Sequence, residues 1–164
     1  MADALISRRT FLKTGLAGSL LLGLGGYALA PHSERQQVLA AIANAVLQGA
    51  LPSEAAARQQ GIARTVRNVE STIAGLPLAT QAELGQLFGL LTSGAGRIVL
   101  AGVWSPWEKA SIEDVSAFLE SWRHSRFNLL RSAYAGLHDL TLGAWYAEPD
   151  TWEAIGYPGP PKVR

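Results

Sequence analysis

Ile62, Val66, Val69 and Ile73 stand at i, i+4, i+7 and i+11, a spacing that sets four apolar side chains along one stripe of an α-helix. A strand alternates faces every residue and would split the four between two sides. The same period recurs along the chain. Val38, Ile42 and Ala45-Val46 share a face, as do Leu84, Leu87, Phe88 and Leu91, and again Ile112, Val115, Phe118-Leu119 and Trp122. Every clear signal is helical, and the expected fold is all-α, a single helical bundle.

The stops and starts between these stripes are legible too. Gly49 with Pro52, and Gly75-Leu76-Pro77, should end helices. Ser33 with Gln36, Thr80 with Glu83, and Ser111 with Asp114 have capping-box spacing and are expected to open them. Ser53 to Gln60 reads as a short helix ending near Gly61, and Ser93-Gly94-Ala95-Gly96 as a turn. It is not a phosphate loop, since no Lys-Ser/Thr pair follows. The apolar stretch Ile98 to Val103 is expected to be a helical turn, because a lone strand would have no partner. Trp104-Ser105-Pro106-Trp107 should be a loop, and the arginines Arg64 and Arg67 a solvated face, with Asn68 also off the apolar stripe.

The helix expected from Phe127 to Ala147 has two apolar faces. One carries Phe127, Leu130, Tyr134, Leu137, Thr141 and Trp145; the other carries Leu129, Ala133, Gly136, Leu140, Gly143 and Ala147. A helix apolar on two sides is covered on two sides, which makes it either the centre of its own bundle or a surface for another protein. Behind it, the tail at 148–164 includes Trp152 and Tyr157-Pro158-Gly159-Pro160-Pro161. These prolines favour an extended, pre-ordered course, suited to strapping onto the domain or docking on a partner. Candidate partner-interface residues are Gly136, Leu140, Gly143, Trp145, Trp152, Tyr157 and Pro158.

The N-terminus has a different character. Ser7-Arg8-Arg9-Thr10-Phe11-Leu12-Lys13 precedes Thr14 to Ala30, a run of 17 residues without a charge and with five glycines. The basic segment resembles a twin-arginine export signal through Ser7, Arg8, Arg9, Phe11, Leu12 and Lys13, which implies passage through the twin-arginine translocase to the periplasm. As a helix the apolar run reaches about 25 Å, short of a hydrocarbon core about 30 Å thick. Residues 1–30 are therefore expected to be a signal peptide, and 31–164 the functional domain. Ala28-Leu29-Ala30 has the small-x-small form of a cleavage site, but Pro31 follows it. An uncleaved segment would tether the protein to the inner membrane, its one membrane contact. Gly23-Leu24-Gly25-Gly26-Tyr27-Ala28 matches a dinucleotide fingerprint without the preceding strand that such a site requires.

Removing the first 30 residues takes away three basic side chains and one acidic one, leaving 11 basic against 12 acidic. That balance gives no footprint for nucleic acid. With no cysteine, the chain can form no disulfide, thiolate metal site or iron–sulfur cluster. His32, His124 and His138 are the only histidines, and no two have i, i+4 spacing. His138 and Asp139 are adjacent on a helix and do not make a dyad by adjacency. Glu113 and Asp114 fall at a helix start, where capping accounts for them. No catalytic, cofactor-binding or metal-binding residue is expected.

Ala144-Trp145-Tyr146-Ala147-x-Pro149, followed by Trp152-x-x-Ile155-Gly156-Tyr157-Pro158-Gly159-Pro160-Pro161, resembles the C-terminus of the gluconate 2-dehydrogenase subunit 3 family. The twin-arginine signal and the early helix running into Gly49-Ala50-Leu51-Pro52 are similar in kind. The resemblance implies a non-catalytic small subunit of a periplasmic FAD-dependent sugar, polyol or alcohol dehydrogenase of the glucose–methanol–choline type. It implies that the flavoprotein partner carries the FAD, crosses the membrane attached to this chain, and passes electrons to a cytochrome c subunit or another carrier. The residues by themselves leave two other readings open: a free-standing periplasmic helical enzyme or binding protein, and an N-terminally tethered structural protein.

Overall fold

A computed structural model describes residues 32–159, so the export-signal residues Ser7 to Lys13 and the cleavage site lie outside the described residues. Among the described residues there are six α-helices, three 3-10 turns and no strand, in agreement with the all-α expectation. The helices are α1 (His32–Val46), α2 (Ala55–Ala74), α3 (Leu78–Thr92), α4 (Gly94–Ala101), α5 (Ile112–Arg123) and α6 (Asn128–Tyr146). The 3-10 turns are Trp107–Lys109, Pro149–Thr151 and Glu153–Ile155.

The centre of the bundle is α1. It packs against α2, α3, α5, α6 and the Trp107–Lys109 turn, with Val38 and Ile42 fully buried. Its many alanines explain how it can be surrounded. Ala43 and Ala45 are buried, Ala40 and Ala41 partly so, and short side chains let neighbouring helices close in from several directions. The sequence pointed to α6 as the two-sided helix, but α6 lies to one side, between α2 and α5. The four-residue stripe on α2 is buried as expected, as are Leu84, Leu87, Phe88 and Leu91 on α3. Phe118 stacks edge-on with both Trp107 and Trp122, at centroid distances of 5.9 Å and 4.8 Å.

Several local expectations are corrected. Residues 53–60 do not form a separate short helix: α2 runs unbroken from Ala55 to Ala74 with Gly61 inside it. A Cβ at Gly61 would stand 3.2 Å from the Trp145 ring and 3.3 Å from Leu51, so glycine here serves close packing rather than termination. The helix is opened not by a serine but by Glu54, whose carboxylate accepts from Ala56 N and Ala57 N. Ser33 and Thr80 lie inside helices and cap nothing; α3 starts after Pro77 instead. Ser111 does cap α5, its Oγ accepting from Asp114 N at 3.0 Å.

Ser93 is a helix cap rather than part of a free turn, since its Oγ accepts from Gly96 N and starts α4. The chain bends by 94° between α3 and α4 at this point. The stretch from Ile98 is helical as expected, ending at Gly102 with φ +68°. No single helix among the described residues is long and apolar enough to cross a membrane.

Candidate docking surface

The C-terminal segment folds back and closes around Trp152. The Trp152 indole Nε1 donates to Tyr146 O at 2.8 Å, at the end of α6. The Tyr157 ring meets Trp152 edge-on at 5.3 Å, and Tyr157 N donates to Trp152 O at 3.0 Å. Gly156 makes the turn between them at φ +68°, in the left-handed region that favours glycine. Gly159 then passes so near Trp152 that a Cβ would stand 3.1 Å from its ring.

Polar contacts fasten this fold-back to α2. Arg64 donates from NH1 to Asp150 Oδ2 at 2.6 Å, while its guanidinium lies 5.8 Å from the centre of the Trp145 ring. Asn68 Nδ2 donates to Glu148 Oε1 at 2.6 Å and to Ala144 O at 3.2 Å. Thr151, itself buried, donates to Glu148 O. Arg64 is thus not part of a solvated face; with Asn68 it clamps the tail. Their targets lie more than 75 residues further along the chain, which no local pattern reveals.

The seven candidate interface residues divide into three groups. Trp145 is 5% exposed and belongs to the core, stacked between Gly61 and Arg64, so it is not offered to a partner. Trp152 is half-buried and serves as the post around which the tail turns. Tyr157 and Pro158 are exposed, Gly143 is exposed with open space where a Cβ would stand, and Gly136 and Leu140 are half-buried. Ile155, part of the tail motif but not among the interface candidates, is 56% exposed between Trp152 and Tyr157. Phe127, placed on one of the two apolar faces, is an exposed residue at the start of α6. The surface offered by the tail is therefore Ile155, Tyr157 and Pro158, an apolar hook held by its own backbone.

Titratable chemistry is sparse. His138 Nδ1 stands 3.5 Å from Asp139 Oδ1, with Asp139 in solvent, a loose contact between neighbours. His124 contacts Glu120, one turn earlier on α5, at 2.8 Å. This bond, and secondarily the Arg123 charge, hold the Glu120 carboxyl below its usual range. Both side chains are exposed. Arg35 forms a two-pronged pair with Glu70, linking α1 to α2. No group of three or more metal-ligating side chains occurs among the described residues. No family model matches the chain, and no curated protein or solved structure is significantly similar to it.

Proposed function

We propose that the protein is the exported, non-catalytic small subunit of a periplasmic FAD-dependent dehydrogenase of the glucose–methanol–choline type, acting on a sugar, polyol or alcohol. It binds the folded flavoprotein, stabilises it and carries it through the twin-arginine pathway. FAD resides in the partner, and a cytochrome c subunit is a candidate third member. One observation supports this reading above the others: the tail that resembles the small-subunit family ends in an ordered apolar hook at Ile155, Tyr157 and Pro158. Aromatic anchors fixed before binding lose little entropy on docking and often dominate an interface. On α6, Gly136 and Leu140 are half-buried and Gly143 is open, and these are assigned to the same partner.

Purification of the tagged chain from its own host should yield an FAD-bearing subunit in stoichiometric amount. Tyr157→Ala and Gly143→Leu should reduce that capture by about tenfold or more. Both positions are exposed, so the isolated variants should keep the wild-type melting temperature. A chain that purifies alone, or a Tyr157→Ala variant that captures the flavoprotein normally, would count against the proposal. The free-standing periplasmic protein and the tethered structural protein both predict the first of those results.

A further inference from the structure

The second exposed apolar surface lies elsewhere. Val99 is 80% exposed, Trp104 76% and Leu100 38%, all within six residues of α4 and the loop after it. These side chains stand on a fixed backbone, with a cation beside them. Arg97 donates from Nε to Val103 O and from NH2 to Trp104 O, at 3.2 Å and 3.4 Å. Trp122 Nε1 donates to Leu100 O at 2.9 Å, which joins the end of α4 to the end of α5. The corner leading from α5 into α6 begins at the next residue, Arg123.

That corner is basic. From Glu120 to Arg131 the chain has three arginines against one acid, and the acid, Glu120, meets Arg123 at 3.5 Å and His124 at 2.8 Å. The Arg126 guanidinium lies 4.8 Å from the centre of the Phe127 ring, which is 54% exposed. Arg131 donates to Ser125 O at 2.6 Å and to Asn128, which braces the turn. On the α4 side Glu34 lines a groove with Arg97, and Glu108 neighbours Lys109, so the excess positive charge comes from the corner. We propose that the α4–α5 junction and this corner rest on an anionic phospholipid surface. Val99, Leu100, Trp104 and Phe127 enter the acyl boundary, and Arg123 and Arg126 meet the headgroup phosphates. Charge and shape together favour lipid over protein. A stable protein interface takes about 20–30 residues a side, matched in shape, whereas four protruding side chains suffice for hydrocarbon, which accepts any apolar shape. Tryptophan beside arginines that keep their charge at headgroup level is the pairing of a membrane interface. Contact of this kind lies on the membrane and needs no crossing helix. It does not depend on the flavoprotein reading.

The full-length chain has no cysteine, so Val99→Cys takes a single polarity-sensitive fluorophore at an exposed position. Vesicles of equal parts phosphatidylglycerol and phosphatidylcholine should shift its emission to the blue, and phosphatidylcholine alone should not. The same label at Gln59→Cys, exposed on α2, should stay silent on both, which separates entry of this patch from attachment elsewhere in the chain. Arg123→Gln with Arg126→Gln should weaken the partition about twentyfold, because each arginine near an anionic surface accounts for about fivefold. Trp104→Ala should weaken it about tenfold. All three side chains are exposed, so circular dichroism should not change. High salt should release the unsubstituted surface as well. No shift at position 99 on the anionic vesicles, an equal shift on phosphatidylcholine, or full binding in high salt or in either variant would overturn the proposal. So would a shift that appears without lipid, through self-association or a co-purifying protein.

Discussion

One missing methyl group sets the corner between α3 and α4. A Cβ at Gly96 would stand 2.0 Å from Leu90 O and 2.8 Å from its carbonyl carbon, and backbone cannot swing aside as a side chain can. Gly96→Ala should therefore cost about 3 kcal/mol, at the upper end of ordinary overpacking, read as a lower urea midpoint. A midpoint equal to wild type would show that the corner yields. Glu54 carries a pH signature. Hydrogen bonds from Ala57 N and then Ala56 N hold its carboxyl below the usual value. A carboxyl depressed in the folded state adds stability above its ordinary titration range and loses it as pH falls through the folded value. Glu54→Gln should thus melt below wild type at neutral pH, with the gap closing in acid. A gap constant across the carboxylate range would remove the charge from the account.

The helices as elements were legible because each buries a stripe of period 3.6, whereas their boundaries were legible only in part. Ser111 caps α5 as its spacing suggested, yet Ser33 and Thr80 have the same spacing and lie within helices. A cap needs the backbone to leave the helix at that residue, and at α3 it is Pro77 that does so. The tail is an element whose course depends on α2. Arg64→Ala would remove both the Asp150 pair and the cation over Trp145. The pair is partly in solvent, with side chains 31% and 61% exposed, so global stability should fall by no more than about 1 kcal/mol. The larger effect should be local: faster amide exchange across residues 149–157 and weaker flavoprotein capture. Unchanged exchange there would show that Trp152 and Asn68 hold the tail without Arg64.

For the molecule as a whole, the proposed export role gives the broadest prediction. Arg8→Lys with Arg9→Lys should leave both this chain and its flavoprotein in the cytoplasm, measured by fractionation and dehydrogenase activity. A flavoprotein that still reaches the periplasm would refute joint export. The sequence by itself determined the all-α class and the apolar faces of α2, α3 and α5, because helical period is a local property that burial reinforces. It also marked Trp152 and Tyr157 in the tail, whose rings the fold sets edge-on. Only the tertiary structure decided that α1 rather than α6 is the centre, since alanine-rich faces carry weak apolar contrast and are ranked by what packs on them. It likewise placed Trp145 in the core, turned Gly61 from a stop into a contact, and joined Arg64 to Asp150. Each of these depends on residues distant in the chain, and their meeting is fixed by how the helices pack, not by any spacing within them.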